Sequence, residues 1–312
     1  MAMLEPATGG GAFGLDVPAG LATVIGALPF RTVTEVSRFV LQRIPRLVAA
    51  PPVTLDSDHL DGSRDGVDAI AQLRLFLSSM TGRVEPIVLN LTGPVTVDLD
   101  LRRHGATAAE GAARAVDVVL ERARRMLDAT DEIVPDAAVL LVLDEPGLTN
   151  SMHPTFPVGP DEITHIEAQV VTGLSARSKI GVQVNGRADW AGLIRSGIGV
   201  LGAPVTAQLE TAAGEIAAFL ENGGIIAWGA VPTNEPLGSS ADRLWVRLSA
   251  LWVELVRGGT DPQLLRERSI ITTAGGLGSH GVSQVECVVA LTQDIASRVW
   301  RQVKGIHLSI GA

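Results

Sequence analysis

Three places along the chain put chemistry-bearing side chains where a short apolar run stops. Asp144, Glu145 and Pro146 follow directly on 138–143 (AVLLVL). Two carboxyls there could serve a bound molecule, or Asp144 could simply close the strand by accepting backbone N–H groups, as such residues do at turns. Gln183 and Asn185 occupy the polar positions at the end of 180–185 (IGVQVN). Amides donate and accept at once, so the pair suits either a ligand or ties between neighbouring loops. His280 stands in 275–281 (GGLGSHG), placed for general acid or base work or for a solvent-facing loop near a helix start. That turn looks like a phosphate cradle, but its spacing matches no nucleotide fingerprint, so a tight backbone turn accounts for it better.

Metal chemistry finds less to build on. His59 with Asp56, Asp58 and Asp61 could form a cluster, yet the surrounding DSDHLDGSRDG reads as a solvated loop. His153 lies in the irregular stretch 146–160, where a lid or an exposed loop would serve equally. The single cysteine, Cys287, permits no intrachain disulfide and supplies no multi-thiolate site, which fits a reducing cytoplasm. With no tyrosine in the chain, mechanisms that need a phenol are excluded.

These residues need elements to hold them, and the chain alternates short β-rich runs with longer helical patterns throughout. The strand candidates are 22–28, 52–55, 86–91, 138–143, 180–184, 198–201, 224–228 and 269–273, with helical patterns such as 107–128 and 281–303 between them. Such alternation means βα units on a parallel sheet, and eight units predict an α/β fold, a single (β/α)8 TIM barrel. The expected division is a flexible leader over 1–20 and one barrel domain over 21–312. In a barrel of this kind the site forms at the strand C-termini, which is where Asp144, Gln183, Asn185 and His280 fall.

Composition narrows the partners. With 46% hydrophobic residues the chain can bury a large core. Its net charge of −9 argues against nucleic acid or an anionic membrane surface, which leaves a small molecule as the expected partner. The N-terminus lacks the basic start and apolar core of a signal peptide, and no apolar run reaches the ~18 residues of a membrane span. The expected location is cytoplasmic.

Read together and in order, LTGPVT (91–96), LDEPGL (143–148), WGAVPTNEP (228–236) and TTAGGLGS (272–279) resemble the catalytic barrel of cobalamin-independent methionine synthase. The wider superfamily includes uroporphyrinogen decarboxylase and corrinoid methyltransferases. The resemblance runs from about Thr23 to Val303 and implies a barrel that moves a methyl group from a folate or corrinoid donor to a zinc-bound thiolate. It also implies that the turn Ile25-Gly26-Ala27 holds an amino-acid substrate and that Asp144 meets its amino group.

Zinc needs three or four His, Cys or carboxylate ligands. Where the resemblance implies a His-x-Cys, this chain has Gln183 and Asn185; where it implies a Glu, Ala203-Pro204; where it implies a Cys, the turn Ala274-Gly275-Gly276-Leu277. Asn150, Asp100 and Asn234 stand where folate contacts and a His are implied. The expectation is a methionine-synthase-like methyltransferase homologue, acting on an amino acid or thiol-like acceptor without zinc or any other identified cofactor, with Asp144, His280 and Asn185 catalytic and Ile25, Gly26, Ala27, Asp144 and Gln183 binding substrate. Alternatives are a catalytically silent subunit that works with a methyltransferase or corrinoid partner protein, and a metal-free decarboxylase. The last lacks the N-terminal arginine cluster that an acidic tetrapyrrole would need.

Overall fold

The structure, a computed structural model, describes residues 18–54, 64–236, 238 and 240–310. Eight parallel strands form one curled sheet in the order β1-β8-β7-β6-β5-β4-β3-β2, which is the (β/α)8 barrel expected from the alternation. The strands are β1 (Leu21–Ala22), β2 (Val48–Ala49), β3 (Ile87–Thr92), β4 (Val139–Asp144), β5 (Lys179–Gln183), β6 (Val200–Pro204), β7 (Ile225–Val231) and β8 (Ser269–Thr273). The helices are α1 (Val33–Arg43), α2 (Arg64–Ser78), α3 (Pro94–Arg103), α4 (Ala108–Ile133), α5 (Pro160–Leu174), α6 (Trp190–Arg195), α7 (Ala213–Glu221), α8 (Asp242–Arg257), α9 (Pro262–Glu267) and α10 (Val282–Ile310). Most of the leader expected over 1–20 lies outside the described residues. Among the described residues no helix is long and apolar enough to cross a membrane.

Alternation along each strand separates two cores, because successive side chains leave a strand on opposite faces. Ile87, Leu89 and Leu91 of β3 pack outward under the helices, whereas Val88 joins Leu21, Leu47, Leu140, Val200 and Ile270 inside the barrel. The same parity points Asn90, Asp144, Gln183 and Thr272 inward. Helix starts are locally encoded. Thr32 with Glu35 and Thr107 with Glu110 form reciprocal capping boxes at α1 and α4, each satisfying N–H groups that the first turn leaves open. On the outer face of β7, Trp228 donates to Ser269 Oγ at 2.7 Å and meets Trp252 of α8 edge-on, with ring centroids 6.0 Å apart. Aromatic pairs of this geometry add about 1 kcal/mol beyond burial.

Two strand assignments change. The second strand is Val48–Ala49 rather than 52–55, and among the described residues of PVTL only Val53 touches the sheet, through an isolated bridge to Leu91. The first strand is Leu21–Ala22, not 22–28, because the chain leaves the ladder after Thr23 and folds into a turn at Gly26, where φ is +99°. Ladder pairing therefore runs from β1 round through β8 to β2 without closing the ring. At the seam, Thr23 Oγ1 donates to Leu47 O at 3.0 Å.

Candidate functional site

The strand register brings the site residues to one height. Thr92 pairs with Asp144, Asp144 with Gln183, and Gln183 with Gly202, so the tops of β3 to β6 end in a row. Two further bonds, Gly93 N to Asp144 O and Glu145 N to Gln183 O, both 2.8 Å, carry the ladder past the strand ends and fix the backbone there. Gln183 is buried, and Nε2 points to Val184 O at 3.4 Å. Its Oε1 fills the space above Gly202, where a Cβ would stand only 2.1 Å from it.

Hydrogen-bonding capacity is left open on the inward face of β3, β4, β5 and β8 and in the loop after β8. Asp144 Oδ1, Gln183 Oε1, Asn90 Oδ1, Thr272 Oγ1 and His280 Nδ1 are all buried without a partner. Asn90 donates its own N–H to Ala50 O at 3.0 Å, which assigns the free atom as the oxygen. Native interiors rarely leave such groups unmatched, since each costs about 1–3 kcal/mol. Open atoms on the inward face of strands whose C-terminal ends form the barrel mouth are available to a bound partner. Burial pushes the Asp144 carboxyl up to about 6, so it can hold or release a proton near neutral pH.

At the rim, His280 Nε2 donates to Thr233 O at 2.7 Å, leaving Nδ1 as an acceptor. The exposed Asn185 stands next to this pair across Gly275, whose added Cβ would lie 3.2 Å from Thr233 Oγ1 and 3.8 Å from Asn185 Oδ1. The loops after β5, β7 and β8 thus meet around Gly275.

Ile25, Gly26 and Ala27 have different neighbours. Ile25 is buried in the barrel interior, Gly26 lies against Gly276, and Ala27 O accepts from Leu277 N at 2.7 Å. The turn is engaged with the loop after β8. Gly26, Ala27 and Leu28 also line a cavity of about 110 Å3 that reaches Ala49 and Pro51 beside the seam. His153 is exposed, and its Nδ1 meets Thr155 Oγ1 at 2.8 Å. His59, Asp56, Asp58 and Asp61 lie outside the described residues.

Glu145 does not face the mouth. It is fully buried and accepts from Val95 N (2.8 Å), Thr96 N (2.7 Å) and the Thr96 hydroxyl, holding the first turn of α3. In return Gly147 N donates to Thr96 Oγ1 at 3.0 Å. Gly93 makes room for this, because a Cβ there would stand 2.2 Å from Glu145 Oε1. Behind Glu145 lies Glu167 of α5, equally buried. Burial, then the Glu145 charge, hold Glu167 well above the ordinary carboxyl range, so it keeps its proton beside Glu145. T-G-P-V-T and D-E-P therefore occur together because they are the two halves of one latch between β3 and β4.

The latch has a pH signature. Since the folded value for Glu167 lies above its ordinary 4.5, this proton's contribution to stability is complete below about 4.5 and is lost as pH rises through the folded value. Glu167→Gln keeps the shape of the side chain and removes the ionisation. Its urea midpoint should therefore match the parent's in acid and exceed it increasingly toward alkaline pH; parallel curves would contradict the assigned proton.

Zinc does not fit. Gln183 and Asn185 present amides, and the end of β6 and the loop after β8 present Ala203, Pro204, Gly275 and Gly276 at the other expected ligand positions. Among the described residues no three His, Cys, Asp or Glu side chains gather to hold a metal ion.

Sequence reading missed Asn90, Thr272 and Glu167. Asn90 had a signal: it is the polar residue inside PIVLNL, at an inward position two after Val88. Glu167 had one too, since it shares the α5 stripe of Ile163, Ile166, Val170 and Leu174, a core-facing position.

No protein-family model matches the chain, and no curated protein sequence does. Solved structures similar to it include an endo-β-1,4-mannanase double mutant from Cellulomonas fimi, at 16% identity over 88% of this chain and 71% of that one, with a TM-score of 0.47. A fungal β-1,4-galactanase matches at 10% identity over 88% and 99%, with a TM-score of 0.48. A 3-keto-L-gulonate-6-phosphate decarboxylase from Vibrio cholerae O1 matches at 10% over 91% and 100%, with a TM-score of 0.40. Likenesses this distant say nothing of what the chain does. The expected methionine-synthase-like kinship is corrected on other grounds: no family model carries it, and the motifs that suggested it form the β3–β4 latch. Methyl transfer and methionine biosynthesis fall with that kinship. So do the silent methyltransferase subunit and the metal-free decarboxylase.

Proposed function

We propose that the chain is an acid–base enzyme acting on a small hydroxylated molecule, with Asp144 transferring the proton. The observation that carries this is the unpartnered Asp144 carboxyl oxygen, buried at the end of β4 in a carboxyl poised at about 6. Around it the open atoms of Asn90, Gln183 and His280 are acceptors, and Thr272 can accept as well, so the complementary ligand donates hydrogen bonds from several hydroxyls. Gln183 and Asn90 bind and orient, while His280 and Asn185 close the rim. In its acid form Asp144 donates to a leaving oxygen; as carboxylate it takes a proton from a hydroxyl or an acidified C–H. A reducing cytoplasm suits the one exposed thiol, Cys287.

Carboxyl-labelled aspartate followed by NMR across pH, with and without polyols and sugars, tests the proposal. The expected result is a signal titrating near 6 that Asp144→Asn removes and that hydroxylated ligands shift, while their deoxy analogues do not. If Asp144 titrates in the ordinary aspartate range and no polyol moves it, the reading is wrong.

A further inference from the structure

A second cavity, of about 430 Å3, opens at the opposite end of the barrel. It lies beneath the starts of β5, β6 and β7, with α6 and α7 as walls, and is lined by Ile194, Ile198, Phe219 and Ala218 together with Lys179 and Asn222. The volume is that of a small-molecule site. Two cations border it. The Lys179 stem runs along Gly199, whose added Cβ would stand 2.8 Å from Cγ and 3.5 Å from Cε. The Arg268 guanidinium, from the residue before β8, approaches the cavity at Gly223, 4.0 Å from where a Cβ would stand.

Neither cation has an ion-pair or side-chain hydrogen-bond partner among the described residues, although charged groups elsewhere on this surface pair readily, as Arg177 does with Asp128 and Asp131. Glu215 also lines the cavity, but it is exposed and bridges to neither. Burial, and after it the Arg268 charge, hold Lys179 below the ordinary amine range. Two like charges facing one half-buried space are a cost unless an anion lies between them. Apart from Asn222 and Glu215 the remaining wall is apolar, which selects anions that carry hydrocarbon.

We propose that this cavity binds a small amphiphilic organic anion, its charged group held between Lys179 and Arg268 and its hydrocarbon laid on Ile194, Ile198 and Phe219. The site is separate from the Asp144 mouth, so its occupant is not the substrate of the reaction proposed above.

The chain has only two lysines, Lys179 and Lys304, which makes the test direct. In protein labelled at lysine Cε, octanoate should move the Lys179 resonance, raise its titration midpoint and saturate, leaving Lys304 in place. Inorganic phosphate should bind at least about tenfold more weakly, a difference of ~1.4 kcal/mol. Lys179→Met, which keeps the stem, and Arg268→Gln should each weaken octanoate by about tenfold or more with unchanged circular dichroism. Octanoate that leaves Lys179 unmoved, or that binds both variants as tightly as the parent, overturns the proposal. Equal binding of phosphate overturns its amphiphilic half.

Discussion

Glu145→Ala should lower folding stability by about 3–5 kcal/mol, the range seen when one member of a buried, hydrogen-bonded charged group is deleted. Its carboxylate holds two backbone N–H groups and one hydroxyl at the start of α3. Deletion leaves all of these unmatched in a place water does not reach. Gly93→Ala attacks the same latch from the other side. The added Cβ lands 2.2 Å from Oε1 and 2.6 Å from Cγ of a side chain that is pinned and cannot swing aside. It should therefore also cost several kcal/mol, far more than the usual effect of an alanine at a strand end. Urea unfolding of both variants checks this. A loss under about 1 kcal/mol in either would mean that Glu145 is not the anchor of α3.

The latch also shows how far the sequence could be read. Strands β3 to β8 were visible because each is a buried run five to seven residues long with turn residues after it. β1 and β2 were misplaced because each is only two residues long, too short for periodicity to mark. Asp144, Gln183, Asn185 and His280 were found by the strand-end rule alone. Asn90 and Thr272 were hidden inside apolar runs, where only the inward parity of the barrel exposes them. The motif reading located the right turns and drew the wrong kinship from them, because a steric and hydrogen-bonding fit between two strand ends looks, in one sequence, like shared chemistry.

Asp144→Asn should reduce turnover of the hydroxylated substrate by about 10²–10⁴-fold, the share a positioned proton-transfer group supplies. The amide keeps the shape and can still hydrogen-bond, so KM should change little and kcat should carry the loss. The pH–rate limb near 6 should vanish with it. Stability should move the other way. Asp144 has a folded value above its ordinary 3.8, so the native state holds an extra proton between there and about 6, and stability is lost as pH rises through that window. Asparagine has no proton to lose, and the variant should be about 3 kcal/mol more stable than the parent at about pH 8 and nearly equal at about pH 4. A variant equally active, or one less stable at the higher pH, would remove Asp144 from the role given to it.

The seam between β1 and β2 gives the molecule a mechanical asymmetry. A barrel laddered all the way round transmits any bending of one strand to every other. This sheet is a strip whose two ends meet across the Thr23 hydroxyl, so its compliance is concentrated there. β3, β4, β5 and β8, which carry Asn90, Asp144, Gln183 and Thr272, lie on the continuously bonded span from β3 through β8. The soft joint sits beside the Ile25–Ala27 turn, and the stiff span keeps the acid and its acceptors in fixed register while the seam flexes.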